Sequence, residues 1–207
     1  MTTPQNSPPR RPRDAEATRA RLVRAALELF TTLGYRATTT ALVAGRAGIA
    51  EGTIYRHFGG KEELFLEVRR AAQRWGAELV RSTSEGGERP LPARERLRRV
   101  GRGLLEAADR EPALVRMALG LRHEPPPDDR GRDAAREFRE ALEQVIASGK
   151  SDGVIRAGPA ELWSAVWLEV AGFAAEKVAS REWPADHPSI GPVLEAAWDA
   201  IAPRSNP

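Results

Sequence analysis

The strongest constraint on the fold is the spacing of the apolar residues, which recur every three or four positions along most of the chain. This spacing places them on one face of an α-helix, whereas a half-buried strand would alternate apolar and polar residues, and no segment does so. Helical segments are predicted at about 15–33, 40–47, 51–58, 61–82, 93–109, 112–123, 130–148, 159–179 and 189–201. The sequence therefore predicts an all-α fold of nine helices, three of them in an N-terminal domain.

The composition excludes several kinds of site and location. The chain has no cysteine, which rules out disulfides, thiolate zinc sites and cysteine nucleophiles. Its most apolar stretch, 162–175, is interrupted by Ser164 and Glu169, so no segment reaches the ~18 apolar residues that a membrane span needs. Charged residues follow the N-terminal arginines, where a signal peptide would need an apolar core. We expect a soluble, cytoplasmic protein.

Positive charge is concentrated at the front of the chain. Residues 1–61 carry ten Lys or Arg and four Asp or Glu, a net charge of +6, while the whole chain has a formal net charge of only +3. This asymmetry is typical of a protein in which one part faces a polyanion. Residues 1–13 contain four prolines and no apolar periodicity, and they are predicted to form a disordered basic arm. Its Arg10, Arg11 and Arg13 could contact phosphates or the minor groove, or the arm could have no role.

Two short predicted helices, joined at a glycine, follow the first long helix. Thr39 can cap the first of them, and Gly48 can adopt the positive φ that a tight turn between them requires. Gly34 is expected to end the preceding long helix in the same conformation. Short helices joined by such a turn are typical of a helix-turn-helix, and residues 14–61 are predicted to form a domain of this kind.

Residues 18–65 resemble the DNA-binding domain of the tetracycline-repressor (TetR) family of regulators. The features that they share with the family are the apolar first helix, Gly34-Tyr35, Thr39, Ala47-Gly48, Gly52-Thr53, Tyr55, His57-Phe58 and Lys61-Glu62-Glu63-Leu64. The sequence departs from the family pattern at Ala50, where a capping Ser or Thr is usual, and at Gly60, where Ser is common. Loss of the side-chain cap at Ala50 costs ~1 kcal/mol. Beyond this domain the resemblance is one of architecture only.

A recognition helix must bring small or polar groups to base edges and phosphates. Gly52 permits close backbone approach, Thr53 offers a hydroxyl and a methyl group, and Arg56 can bind guanine through two hydrogen bonds. The resemblance implies that Thr39, Gly52, Thr53, Tyr55, His57 and Lys61 occupy the family's usual contact positions. The full set predicted to contact DNA is Thr39, Thr40, Arg46, Glu51, Gly52, Thr53, Tyr55, Arg56, His57 and Lys61.

Three of these positions keep an alternative interpretation. Thr39 could serve as a helix cap alone, and Tyr55 could pack inward with its hydroxyl bonded locally. The carboxylate of Glu51 would repel phosphate, so it either accepts a hydrogen bond from a cytosine amino group or simply faces solvent. The remaining apolar positions of the segment, Ile54 and Phe58, are expected in the core.

Residues 62–203 are predicted to form a helical effector-binding and dimerisation domain, followed by a tail at 204–207. The segment 160–179 is apolar on more than one face and rich in small residues, which suits close packing against another helix. It could pair with the last helix in a two-fold four-helix interface, as the resemblance also implies. The predicted interface residues are Trp167, Ala171, Gly172, Ala175, Leu194 and Trp198. Alternatively, 160–179 is the central core helix of a monomer.

The same domain carries large apolar residues that could line a pocket for a small apolar effector. The predicted lining is Trp75, Leu79, Met117, Leu121, Phe138, Leu142, Trp163 and Trp167. Residues at this spacing also form ordinary cores, and most of the support for a pocket comes from the resemblance.

Catalytic motifs are missing or incomplete. Gly149-Lys150-Ser151 resembles the end of a phosphate-binding loop, but the earlier glycine that such a loop requires falls at Gln144. No HExxH is present, and the three histidines lack metal-ligand spacing. We therefore predict no enzymatic activity, no cofactor and no metal.

Together these features predict a ligand-responsive transcriptional regulator, expected to be a repressor, whose homodimer binds a palindromic operator in double-stranded DNA. The alternative is a helical ligand-binding or interaction protein whose DNA binding is weak or absent. The missing side-chain cap at Ala50 motivates that alternative.

Overall fold

The computed structural model describes residues 12–83, 91–120 and 136–204. These residues form eight α-helices and one 3-10 helix, with no strand among them, so the all-α prediction is confirmed. The α-helices are α1 (Pro12–Ala37), α2 (Thr40–Ala47), α3 (Lys61–Ser82), α4 (Ala93–Arg110), α5 (Pro112–Leu119), α6 (Glu137–Ser151), α7 (Ala160–Ala179) and α8 (Ile190–Asp199), and the 3-10 helix spans Glu51–Arg56. Most of the predicted arm, the end of the predicted helix 112–123, the start of the helix 130–148, Leu121 and most of the tail lie outside the described residues.

The first helix is interrupted at Gly34, where the sequence predicted its end, and a short helical segment follows the break as far as Ala37. This residue has φ 82° and ψ 165°, a conformation that favours glycine. Beyond it, the backbone N–H and the hydroxyl of Thr38 both donate to the Gly34 carbonyl, at 3.3 and 2.8 Å. The break agrees with the predicted helix end near residue 33, but a ψ of 165° is not that of the left-handed C-cap that was expected at Gly34. Tyr35 lies in the short segment after the break.

The segment predicted as a second short α-helix, 51–58, is a 3-10 helix that ends at Arg56. Hydrogen bonds between residues three apart mark both of its ends: the Thr53 N–H donates to the Ala50 carbonyl, and the His57 N–H to that of Ile54, both at 2.9 Å. No side chain caps its N-terminus at Ala50, as the sequence indicated. Apolar periodicity over so short a segment does not distinguish the two kinds of winding.

The 3-10 helix, α1, α2 and the start of α3 enclose an apolar core. Ring contacts join α1 to α3, since Phe65 lies edge-on to Phe30 at 5.1 Å and to Tyr35 at 5.0 Å between ring centroids. Ile54 and Phe58 are buried, which confirms their predicted place in the core. This packing holds the helix-turn-helix against the long helix α3.

The later helices pack around α4 and α7. Phe138 of α6 lies close against Gly76 of α3, and Leu194 of α8 lies close against Gly101 of α4. Helix α5 contacts α1 and α3 as well as α4 and α7, so it links the N-terminal helices to the rest of the structure. Within the described ranges, no helix has the length and apolar character needed to cross a membrane.

Candidate nucleic-acid interface

Helix α2 is fixed at both ends, and the turn that follows it is also bonded to α1. Thr39 caps α2 by accepting a hydrogen bond from the Leu42 N–H at 3.2 Å. Gly48 ends α2 in the left-handed conformation, with φ 65° and ψ 41°. The guanidinium of Arg21, on α1, donates to the carbonyls of Ala47 and Gly48. The predicted cap and left-handed turn are confirmed, and the bridge from α1 adds a third restraint.

Thr40, Glu51 and Tyr55 meet on the exposed side of this unit and form what we call the polar patch. The Thr40 hydroxyl donates to Glu51 Oε1 at 2.8 Å and lies 3.4 Å from the Tyr55 hydroxyl oxygen. Tyr55 is 59% exposed, so the alternative in which it packs inward is wrong. The Tyr55 hydroxyl can donate to a phosphate, and the carboxylate of Glu51 can accept from an amino group of a base.

The backbone beside the polar patch is open. Gly52 and Arg56 are exposed, while Thr53 and His57 are half-buried. A Cβ added at Gly52 would meet no atom within 4 Å, so packing inside the chain does not require glycine there. The open space leaves this backbone accessible to a ligand from outside. The DNA contacts of these four residues stay predictions.

Lys61 begins α3 and is bound to the backbone that follows the kink in α1. Its Nζ donates to the Tyr35 carbonyl at 3.0 Å and lies 4.3 Å from the centroid of the Tyr35 ring. Burial, and after it the charge of Glu62, raises the pKa of the Tyr35 phenol above its usual value. The Lys61 ammonium thus binds Tyr35, through both its carbonyl and its ring, in addition to the phosphate contact predicted for it.

Arg46 is paired with an acidic residue of α1. Its Nε and Nη2 donate to Glu28 Oε2 at 2.9 and 2.6 Å. The Arg46 side chain is nevertheless 62% exposed. The structure thus places this predicted DNA-contacting residue at the surface, where its guanidinium is already paired with Glu28 of the same chain.

Sequence reasoning identified the exposed residues of this interface but missed the partners that hold them. Arg21 and Glu28 bond residues 26 and 18 positions away, a separation at which no periodicity signals a contact. Glu63 had a local signal, because an acidic residue at the third position of a helix often reaches back to its start. Its Oε2 accepts a hydrogen bond from the Gly59 N–H at 2.7 Å, which fastens the residue before Gly60 to the first turn of α3.

Comparison with known proteins agrees with this geometry. A family model described as bacterial regulatory proteins of the tetR family matches residues 22–68. Over 96% of its length, the chain is 30% identical to the HTH-type transcriptional regulator TcmR of Streptomyces glaucescens, of which it covers 89%. The chain belongs to the TetR family. It is accordingly a DNA-binding transcriptional regulator.

Other matches differ in extent. The HTH-type transcriptional repressor KstR2 of Mycobacterium tuberculosis is 34% identical over 97 residues, which are 47% of each chain. Several other relatives are also matched over less than half of their own length. A solved structure of a TetR family protein from Vibrio parahaemolyticus has a TM-score of 0.69 and 26% identity, and the match covers 90% of this chain and 100% of that one.

The predicted effector-pocket residues of this TetR-family chain do not share one environment. Buried side chains are Met117, Phe138, Leu142 and Trp167, and half-buried ones are Trp75, Leu79 and Trp163. Trp163 faces the connector before α7, where its Nε1 donates to the Ala157 carbonyl at 3.1 Å. Trp167 lines a cavity of about 20 Å³ between α4, α7 and α8, which has room for roughly one water. An effector pocket stays a prediction.

The predicted dimer residues lie deeper than expected. Trp167, Ala171 and Ala175 are buried by the chain's own helices, whereas Gly172, Leu194 and Trp198 are half-buried. The large apolar side chains that α7 exposes are Leu162, at 48%, and Phe173, at 51%. The prediction that this helix is apolar on more than one face is confirmed. A second subunit on α7 would first meet Leu162 and Phe173, and the dimer itself stays a prediction.

Proposed function

We propose that this TetR-family regulator is a ligand-responsive repressor whose homodimer binds a palindromic operator. The observation that carries the proposal is the polar patch beside the open backbone at Gly52. Hydroxyl groups, a carboxylate and accessible backbone within one small exposed unit are what reading of base edges and phosphates requires. The net charge of +6 on residues 1–61 supplies the attraction to DNA that does not depend on sequence.

In this proposal the residues of the polar patch and their neighbours contact different parts of the DNA. Tyr55 donates its hydroxyl proton to a phosphate, and Arg56 reads guanine in the major groove. Glu51 keeps one carboxylate oxygen for Thr40 and offers the other to a cytosine amino group. Lys61 and Thr39 contact the phosphates that flank the groove.

Dimerisation would explain the apolar surface left on α7. The exposed side chains of Leu162 and Phe173 can be buried against the same helix of a second subunit. A two-fold axis between two helix-turn-helix units matches a palindrome whose half-sites lie ~34–36 Å apart, or a multiple of that distance. The symmetry of the protein would then set the symmetry of its operator.

Repression and release complete the proposal. The name of the relative KstR2 records a repressor, which supports the same direction of control here. In one conformation of the dimer the two recognition units have the wrong spacing for the operator. An effector that binds this conformation more tightly than the DNA-binding one lowers operator affinity by the ratio of its two affinities. Helix α5 supports such coupling, because it contacts α1 of the DNA-binding unit as well as α4 and α7.

The test compares two arginine variants on a duplex selected from a random pool with the wild-type protein. Arg56→Ala removes an exposed guanidinium from the proposed interface, and Arg139→Ala removes one from the exposed side of α6. We expect Arg56→Ala to weaken binding by ~1–3 kcal/mol and to relax the preference at one base pair. Arg139→Ala should leave binding and preference unchanged, as measured by fluorescence anisotropy. Equal small effects of both changes would contradict the proposal.

The alternative, a helical protein that no longer binds DNA, rests on the uncapped 3-10 helix at Ala50. The bond from Thr40 to Glu51 opposes it, because it fastens the first residue of that helix to α2. Combined replacement of Tyr55 and Lys61 by Ala separates the two. A regulator would bind every sequence more weakly, and its salt slope would fall by roughly 1 for each phosphate that the variant no longer binds. If the doubly substituted protein bound its partner as tightly as the wild type does, the alternative would be favoured.

A further inference from the structure

Glu28 of α1 lies between two arginines, and each of its carboxylate oxygens faces one of them. Oε2 accepts two hydrogen bonds from Arg46, at 2.9 and 2.6 Å. Oε1 lies 3.8 Å from Nε of Arg24, which is one helical turn earlier on α1. All three side chains are at the surface: Arg46 is 62% exposed and Arg24 is 82% exposed, whereas Glu28 is 35% exposed.

Arg46 is on the same short helix as residues of the DNA interface. α2 begins at Thr40, next to its cap Thr39, and Arg46 lies in its last turn. At 1.5 Å per residue, the Cα atoms of Thr40 and Arg46 are roughly 9 Å apart along the helix axis. A long arginine side chain at this position can reach the phosphate backbone that runs past the start of the helix, provided that its guanidinium is released.

We propose that Glu28 competes with phosphate for Arg46, and thereby limits operator affinity and reduces the salt dependence of binding. This inference rests on the proposed DNA-binding function. Exposed ion pairs contribute little to stability, so the pair can exchange for an arginine–phosphate pair. When Arg46 turns to DNA, the Glu28 carboxylate keeps Arg24 as a cation beside it. The acidic residue then acts as a positioning residue, because it decides where the Arg46 guanidinium points.

The first variant is Glu28→Gln, which keeps the shape of the side chain and removes its charge. With its ionic partner gone, Arg46 should make a full phosphate contact, so we expect ~3- to 10-fold tighter binding to the selected duplex in 100 mM salt. The slope of log affinity against log salt should steepen by up to roughly 0.9, the value for one additional phosphate contact.

The matched control is Glu16→Gln, which removes an exposed carboxylate from the first part of the same helix. A general gain of positive charge would tighten binding equally in the two variants, whereas competition for Arg46 predicts a larger gain for Glu28→Gln. A double-mutant cycle with Arg46→Gln sharpens the test, because the gain from Glu28→Gln should disappear in that background. Circular dichroism and the thermal midpoint check that each variant is folded.

Any change in binding other than the expected one would overturn the inference, and three such results are distinct. They are an equal gain in Glu16→Gln, a gain that persists without Arg46, and weaker binding by Glu28→Gln, which would mean that Glu28 holds Arg46 in its contact position. Failure of the proposed function gives a different result, since wild-type protein would then select no duplex. Selective binding by the wild type with unchanged affinity in Glu28→Gln would reject this inference alone.

Discussion

Lys61 Nζ donates a hydrogen bond to the Tyr35 carbonyl at 3.0 Å and lies over the ring of the same residue. The first turn of α3 is thereby fastened to the last residues of α1, beyond the kink at Gly34. Helix α3 continues from this joint for 22 residues, into contact with α5 and α6. A residue that sequence reasoning assigned to phosphate thus also connects the DNA-binding unit to the helices behind it.

Replacement of Lys61 by Ala should therefore affect folding as well as DNA binding. Removal of the charged hydrogen bond and of the cation–π interaction is expected to lower the free energy of unfolding by ~1–2 kcal/mol, measured by urea denaturation without DNA. Lys61→Arg retains a cation near the ring and should be destabilised less. Wild-type stability in Lys61→Ala would show that the contacts with Tyr35 do not stabilise the fold.

The packing of α3 against α6 is set by the size of one residue. A Cβ at Gly76 would lie 2.6 Å from the Phe138 ring, and Phe138 is completely buried. We expect Gly76→Ala to destabilise the protein by ~1–3 kcal/mol through overpacking. Gly45→Ala is the control, because the added methyl group meets nothing within 4 Å and alanine favours the helix, which should stabilise by ~0.5–1 kcal/mol. The measurement is the thermal midpoint of each variant against the wild type. Equal destabilisation of the two variants would contradict the packing argument.

Local chemistry explains which parts of this fold could be predicted. The left-handed turn at Gly48 and the cap at Thr39 depend on the conformational freedom and hydrogen bonds of one or two residues, and both were predicted. The winding of 51–56 was not, because a six-residue segment has too few positions to show whether its period is 3.0 or 3.6. The break at Gly34 was predicted, but the short helical segment after it was not, because the Thr38 hydroxyl bonds back to the Gly34 carbonyl and glycine itself does not signal this bond.

The site shows the same division between local and distant information. Exposed polar residues such as Tyr55 could be assigned from their spacing and from the family resemblance, since neither requires knowledge of distant contacts. The ion pair of Glu28 with Arg46 joins two helices whose approach is decided by the packing of the core around Phe30. Trp167 and Ala171 of α7 are buried for a similar reason, because α4 and α8 pack against that helix.

Acid titration should reveal the ion-pair cluster on α4. Hydrogen bonds from Arg98, and then from Arg99, lower the pKa of Glu95 from 4.5 to about 2. Because the folded-state pKa is depressed, the contribution of this carboxylate to stability is present above pH 4.5 and disappears as the pH falls towards 2. An NMR titration of the Glu95 carboxyl carbon should show this low pKa, and 1 M salt should raise it by screening. Arg98→Gln should also raise the pKa of Glu95. An ordinary glutamate pKa in the wild-type protein would show that the ion pairs do not persist in solution.

The exposed apolar surface of α7 provides the test of the dimer. Leu162 is 48% exposed on this helix, and Leu33 is 51% exposed on α1, so a charge can be placed at either position without entering the core of the subunit. If α7 lies in the subunit interface, Leu162→Glu buries two unpaired carboxylates across the two-fold axis and should weaken dimerisation by more than about tenfold. Sedimentation equilibrium should then show monomer, while Leu33→Glu remains a dimer. The monomer should bind a single half-site and no longer prefer a palindrome over that half-site, because only a paired recognition unit senses the spacing. Two dimeric variants would place the interface elsewhere on the molecule.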